Sequence, residues 1–378
     1  MRLVGLSYLK PGTVLARDIY GGSNGTIPLL RRGVVLNHSF IERLDEAGIF
    51  SVYIDDALGD GIEITPLISE QTRHMAADSL GAVFKEIRAG ETAAQPMAEE
   101  TLGRMTAIVE LLAAEIANSK DAAVAINNLA AASSYTVQHS INVTALGLLI
   151  GERCLHDYGW VDYQEKRRMD RTQDQLVQLG LGLMLHDIGK SLLPKELLSK
   201  AGPLGPAEWE IVRLHPLNGV AMLSPITTSA RARAVVRSHH ERWDGAGYPD
   251  GKIAKATHQF ARIAALADAY DAITSERPYS RAQNPEYGWN IILEGSGSAF
   301  DPEIVNVFRQ VVAPYPPGSE ITLDDGRRGL VVSVQRGALE QPLVRICWDA
   351  EGKPVDVPYE LELDELPGRA SVPEPISA

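Results

Sequence analysis

The stretch from Gln175 to Lys190 constrains the fold more than any other part of the chain. Its leading part carries no charged residue and closes on Gly182-Leu-Met-Leu, after which His186 and Asp187 follow at once, then Ile188, Gly189 and Lys190. An apolar run of this length reads as a helix buried on most of its surface. It delivers an imidazole and a carboxylate to its end. Adjacent residues differ by about 100° around a helix, so both can face one ligand only if that ligand lies beyond the helix terminus. Gly189 is expected to let the chain turn sharply there and expose both side chains.

The same dipeptide occurs a second time, as His156-Asp157, which provides an internal control. That copy is followed by Tyr158-Gly159-Trp160 and then by a polar stretch from Gln164 to Asp174, so it is expected in a solvated loop. A histidine beside an aspartate is therefore weak evidence, and the companions of His186 must carry the case. His139, His215, His239 and His240 each fall in a helical context. Ser238-His239-His240-Glu241-Arg242-Trp243-Asp244-Gly245-Ala246-Gly247-Tyr248-Pro249 places paired histidines before a glycine-rich loop, a composition suited to bringing backbone close to a ligand. Farther on, residues 261–274 form a helix with Ile263, Leu266, Tyr270 and Ile273 on its apolar face and Asp268 among Ala264, Ala265 and Ala267. A carboxylate in that setting is costly to bury unless it is paired or binds a metal. Asp271, one turn on, is placed to orient a ligand histidine or to cap a neighbour.

Around these residues the chain reads as mainly α. Residues 1–65 form a small β-rich module, with turn signals at Lys10-Pro11-Gly12 and residues 21–25, a strand at 51–54 and one short helix over 39–47. Residues 66–120, rich in Ala, Glu and Leu, are expected as a connector of two helices, and 121–312 as a long helical catalytic region. Strand character returns over 313–364, with a hairpin turn at Asp324-Asp325-Gly326. Residues 365–378 lack periodicity and are expected to be a disordered tail.

Composition removes several classes of function. The chain has 378 residues, 45% of them hydrophobic, enough for a sizeable core. A net charge of -13 disfavours nucleic acid polymers and anionic membranes as partners, while leaving room for a basic pocket that takes one small anion. Cys154 and Cys347 alone cannot build a disulfide framework or a thiolate cage. With neither a signal-peptide pattern nor an apolar run of membrane-spanning length, the expected location is the cytoplasm.

The motifs together resemble the HD-GYP family, a branch of the HD superfamily of metal-dependent phosphohydrolases, over residues 130–312. The resemblance rests on Gln138-His139-Ser140, Leu185-His186-Asp187-Ile188-Gly189-Lys190, Arg213-Leu214-His215-Pro216, the 239–249 segment, Asp268-Ala269-Tyr270-Asp271-Ala272, Arg277-Pro278-Tyr279, and Phe300-Asp301-Pro302. Residues 9–12 and 16–20 look like the small domain that often precedes this catalytic unit. The resemblance implies a helical HD-type domain flanked by small β-rich modules. It also implies a phosphodiesterase that opens cyclic di-GMP to pGpG, with further cleavage to GMP in some members.

Carried over residue by residue, the resemblance implies two divalent metal ions. His139, His186, Asp187 and Asp268 would hold one and Asp187, His215, His239 and His240 the other, so that Asp187 bridges. A mixed imidazole and carboxylate set suits iron or manganese. A water between the ions, lowered in pKa, would attack the phosphate in line. His186, Asp187 and Lys190 are the catalytic set, and Lys190, Arg277, Gly247, Tyr248 and Pro249 the substrate-binding set. Two positions depart from the family pattern. Tyr135 stands where some members place a glutamate for a third metal, which holds the expected count at two, and Ser280 stands where Arg or Lys usually follows Arg-Pro-Tyr. Alternatives are a phosphodiesterase for another cyclic dinucleotide, and a module that senses cyclic di-GMP or contacts diguanylate cyclases through the GYP loop with little turnover. A homodimer is compatible with the sequence, which does not fix the oligomeric state.

Overall fold

The computed structural model describes residues 1–20, 28–46, 49, 51–88, 96–119, 135–161, 166–198, 200, 202–224, 226–275, 283–335 and 337–363. The chain opens with strands β1 (Arg2–Gly5), β2 (Val14–Leu15), β3 (Ile19–Tyr20) and β4 (Pro28–Leu30), helix α1 (His38–Glu46) and strand β5 (Ser51–Asp55). Helices α2 (Glu70–Arg88), α3 (Glu99–Asn118) and α4 (Tyr135–Tyr158) follow, then a short hairpin, β6 (Trp160–Val161) and β7 (Arg167–Arg168). The run then continues as α5 (Thr172–Leu185), α6 (Lys195–Leu198), α7 (Pro206–Val212), α8 (His215–Ala221), α9 (Ala230–Ser238), α10 (Gln259–Thr274), α11 (Pro285–Glu294) and α12 (Pro302–Val311). Strands β8 (Glu320–Thr322), β9 (Arg328–Gln335), β10 (Ala338–Trp348) and β11 (Pro354–Glu362) complete the chain. The expected tail, 365–378, lies outside the described residues. Among the described residues no helix is long and apolar enough to cross a membrane.

Two compact units result, and the helical one comprises Leu67–Lys120 and Ser133–Val311. Its centre is α5, whose residues from Leu179 to Leu185 are all buried. Glycines let neighbouring helices approach it closely. A Cβ on Gly147 or Gly151 of α4 would strike Leu183 or Leu179, and one on Gly180 would strike Val109 of α3. On the other side, a Cβ on Gly182 would lie 2.6 Å from Cβ of Val235 in α9. Such contacts fix the ends of α4, α5 and α9 relative to one another. The two helices expected as a connector are instead part of this unit: the Arg73 guanidinium donates to Asn142 Oδ1 at 2.8 Å, and Met97 N–H to Met222 O at 2.8 Å. His156 and Asp157 form the last turn of α4 rather than a loop, although His156 is 73% exposed as its polar surroundings suggested. The hairpin β6–β7 was not legible from sequence because its strands are two residues long.

The second unit contains Met1–Pro66 and Val312–Ala378. Strand β5 is antiparallel to both β1 and β2, and β8 to β11 form a four-stranded antiparallel sheet in the order β11-β10-β9-β8. Alternation along β5 sends Val52 and Ile54 into one cluster with Leu6, Leu15 and Leu44, and Tyr53 into another with Leu330 and Cys347. Arg345 of β10 also donates to the carbonyls of Leu58 and Asp60. The N-terminal and C-terminal β segments, which the sequence offered as separate modules, therefore share a core. No local periodicity can reveal a contact between segments so far apart in the chain.

Replacing Gly182 by alanine should cost about 1–3 kcal/mol, because the facing Val235 side chain and the Ala232 carbonyl sit on another helix and cannot both yield. Gly103 of α3, whose added Cβ meets nothing within 4 Å, is the contrast. Gly103→Ala should stabilise by about 0.5–1 kcal/mol through helix propensity. Denaturant melts of both variants check the pair, and equal effects would contradict the close packing.

Candidate metal centre

Three of the histidines sit where a helix has just ended. His186 is the C-cap of α5, His239 is the C-cap of α9, and His215 follows the end of α7 by three residues. A helix terminus leaves carbonyl oxygens short of intrahelical donors, and each imidazole bonds one from the last turn before it. His186 Nδ1 lies 2.7 Å from Leu183 O, His215 Nδ1 2.8 Å from Val212 O, and His239 Nδ1 3.0 Å from Val236 O. A carbonyl only accepts, so each Nδ1 carries the proton and each Nε2 keeps a lone pair. His139 of α4 obeys the same logic with a carboxylate, its Nδ1 2.6 Å from Asp271 Oδ2 on α10. Asp271 is fully buried and thus fills the orienting role foreseen for it.

The free nitrogens converge on Asp187, which is 1% exposed. Its Oδ1 is 3.3 Å from His215 Nε2 and 3.9 Å from His239 Nε2, while its Oδ2 is 3.4 Å from His186 Nε2 and 3.6 Å from His139 Nε2. Two donor groups share this aspartate: Asp187, His215, His239 and His240 in one, His139, His186 and Asp187 in the other, each with atoms within 4.8 Å of one another. Asp268, placed between the groups, has Oδ1 3.0 Å from His139 Nε2 and Oδ2 3.5 Å from His240 Nδ1. All seven candidate ligands thus meet in one cluster.

The donors fit a cation. His186 Nε2 and Asp187 Oδ1 are buried with no hydrogen-bond partner among the described residues. Nε2 of His215 and Nε2 of His239 face each other at 3.1 Å. With both Nδ1 protons committed to carbonyls, two lone pairs oppose one another, which a positive centre between them would relieve. Burial drives the basicity of His215 down to about 3 and of His240 down to about 4, despite the opposing pull of Asp187 and Asp268 respectively, and it lowers His239 well below the usual range. These rings are neutral, the state that ligates metal. Burial opposes ionisation of Asp187, but Lys190, His186 and His215 outweigh it and hold the carboxyl well below its ordinary range. His139 goes the other way: burial lowers it, yet Asp268 and Asp271 raise it to about 9.

Lys190 Nζ lies 2.6 Å from Asp187 Oδ2 and is 26% exposed, so its ammonium borders both the cluster and the solvent. Gly189, expected to supply a sharp turn, has no positive φ and sits inside a short 3-10 helix, Ile188–Leu192. Its absent side chain serves packing, since a Cβ would stand 2.0 Å from His215 O and 2.5 Å from Gly219 N. Gly247 does allow close backbone approach, with a Cβ there falling 2.4 Å from Arg242 N and 2.5 Å from His240 O. Tyr248 stacks on His240 with ring centroids 4.7 Å apart, and Pro249 follows it through a cis bond. Arg277, Ser280 and Arg281 lie outside the described residues. Tyr135 stacks on His139 at 5.6 Å.

Two residues escaped the sequence reading. Glu241, 3% exposed, accepts backbone N–H groups from Asp250 at 2.7 Å and Lys252 at 3.0 Å, closing the loop that carries Tyr248. Arg262 pairs with buried Asp301 and lies 5.5 Å from the Trp243 ring centroid. Glu241 stands inside the motif that was quoted, and its place directly after two candidate ligand histidines was the available signal.

A helical bundle whose helix ends and facing helices gather histidines and aspartates around one buried carboxylate is the arrangement of an HD-type domain with a candidate metal site. Comparison with known proteins agrees. An HD domain family model matches residues 152–304. A cyclic di-GMP phosphodiesterase of Pseudomonas aeruginosa is 28% identical over 364 residues, covering 88% of this chain and 82% of the other. A cyclic di-GMP phosphodiesterase of Thermotoga maritima is 35% identical over 154 residues, 40% of this chain and 41% of that one. A 3'3'-cGAMP-specific phosphodiesterase of Vibrio cholerae is 31% identical over 189 residues, 49% of this chain and 37% of that one. Residues 152–304 thus match an HD domain, and the chain as a whole is similar to cyclic dinucleotide phosphodiesterases.

Replacing Asp271 by alanine frees the His139 ring and removes its tautomer lock. Divalent metal affinity, measured by calorimetry on the metal-free protein, should fall about 10- to 100-fold, as for other carboxylates behind a ligand histidine. Undiminished affinity would count against His139 as a ligand.

Proposed function

We propose that the chain is a cytoplasmic phosphodiesterase that opens cyclic di-GMP to linear pGpG with two divalent ions, iron or manganese. The observation that carries this reading is the pair of donor groups that share Asp187. His139, His186, Asp187 and Asp268 would hold one ion, and Asp187, His215, His239 and His240 the other. When bound, such ions supply Lewis acidity toward a phosphate and an activated water near neutral pH. The protein's own groups do the rest. The Nδ1 anchors of His139, His186, His215 and His239 aim each Nε2 at the site, which removes reorganisation from the reaction. Lys190, at the solvent side of the cluster, offers its ammonium to a phosphate oxygen and offsets the charge that builds there. Tyr248, with Gly247 and Pro249, borders His240 and so stands at the edge where a nucleotide would enter. The similarity to a relative named for 3'3'-cGAMP makes that dinucleotide the competing substrate.

The test is anaerobic loading with iron or manganese, metal analysis, and chromatography of cyclic di-GMP and 3'3'-cGAMP digests. Linear pGpG should appear, with kcat/KM higher for cyclic di-GMP than for 3'3'-cGAMP. No product from protein shown to carry two ions would sink the proposal, and the opposite preference would replace the substrate. His186→Ala and Asp187→Ala should abolish turnover, whereas His156→Ala, at its exposed helix end, should leave it unchanged. Lys190→Met should lower kcat by about 10²-fold or more, as when one preorganised donor is lost.

A further inference from the structure

Four of the five proposed ligand histidines are held by a hydrogen bond that Nδ1 donates, three to carbonyls and one to Asp271. His240 is the exception. Among the described residues no hydrogen bond holds its ring, Asp268 Oδ2 stands 3.5 Å from its Nδ1, and its side chain is 24% exposed against 2% or less for the other four. An imidazole so placed is free to rotate about its side-chain bonds unless packing prevents it. Three rings pack on it: His239 at 4.2 Å and 46°, His215 edge-on at 5.0 Å, and Tyr248, which of the three lies nearest to parallel, at 29° and 4.7 Å between centroids. Offset stacking of this kind is directional.

Tyr248 in turn is fixed from behind. Its backbone N–H donates to His240 O at 3.1 Å, so the loop folds back onto the residue that it covers. Gly247 lets the loop backbone pack directly on residues 240–242. Both oxygens of Glu241 then grip the far side of the same loop, Oε1 taking Asp250 N–H and Oε2 taking Lys252 N–H. The Arg213 guanidinium adds a contact 5.4 Å from the Tyr248 ring centroid, from the segment that leads into His215.

We propose that Tyr248 and Glu241 are positioning residues for His240, with the ring stack replacing the hydrogen bond that aims every other ligand histidine. This rests on the two-ion reading above. It assigns the loop a task in metal retention, selective for the ion held by Asp187, His215, His239 and His240.

Calorimetric titration of the metal-free full chain with manganese, together with metal analysis of the loaded protein, tests the assignment without reference to activity. Tyr248→Phe keeps the ring and loses only the hydroxyl, so both ions should bind as in wild type. Tyr248→Leu should weaken one ion by about 10- to 100-fold, the usual cost of losing the support behind a metal ligand, and leave the other unchanged. Glu241→Gln, which turns one acceptor into a donor facing a backbone N–H, should weaken the same ion by a smaller factor, and it carries the test should Tyr248→Leu fail to fold. Both ions binding normally to Tyr248→Leu and Glu241→Gln, or both weakening by one common factor, overturns the inference. Wild type taking up fewer than two ions would overturn the two-ion reading and this inference with it, an outcome distinct from two ions bound equally by wild type and variants.

Discussion

Asp187 is an ionised carboxylate removed from water, and the helical unit is arranged around that fact. A lone buried carboxylate costs several kcal/mol. Here Lys190 and the surrounding histidines keep it charged, and its Oδ1 still lacks a hydrogen bond. No set of neighbours on a single helix could do this. His139 comes from α4, His186 from the end of α5, His215 from the start of α8, His239 and His240 from the end of α9, and Asp268 from α10. Five helices must therefore end or cross within a few ångströms of one point. The glycines at the α4–α5 and α5–α9 contacts make that approach sterically feasible, since any side chain at those positions would separate the helix ends that carry the ligands.

The bundle solves a second problem with the same feature. A helix terminus leaves carbonyls unsatisfied, and a buried terminus leaves them unsatisfied in a medium where that is expensive. Placing a histidine just past the terminus satisfies one carbonyl and at the same time fixes which imidazole nitrogen is bare. His186 and His239 do both, as does His215 with the last carbonyl of α7. The electrostatic consequence differs among the rings. Burial keeps His215, His239 and His240 neutral, while His139, bracketed by Asp268 and Asp271, is drawn toward protonation. A cation entering the cluster would meet neutral imidazoles at His215, His239 and His240 and at His139 one that must release a proton, so metal uptake and proton release are linked.

How far the sequence disclosed this depended on the range of each signal. The apolar run into His186 is local, and it gave α5 to within a few residues of its true start at Thr172. The control dipeptide at His156 was rightly separated from it by exposure, though its helix runs on through Tyr158. Gly189 shows how a correct residue can be assigned the wrong reason: it serves a contact with His215 O, which no local pattern encodes. The union of Tyr53 with Leu330 and Cys347 is likewise non-local. The division of the histidines and aspartates into two candidate ligand sets, by contrast, came only from the family resemblance, because spacing along the chain between His139 and Asp268 carries no geometric information by itself.

His240 marks the limit of the rule that orders the other histidines. It follows His239 directly, and the carbonyls at the end of α9 already serve the first of the pair. A second imidazole at the next position points about 100° away, beyond reach of those oxygens and toward Asp268 and solvent. Something outside the helix must then supply its orientation, and the chain turns back at Gly247 to bring Tyr248 there. The paired histidines and the loop that follows them are in this sense one structural unit. The first is fixed by the helix that precedes it, the second by the loop that comes after, and Glu241 is the residue between them that ties the loop down.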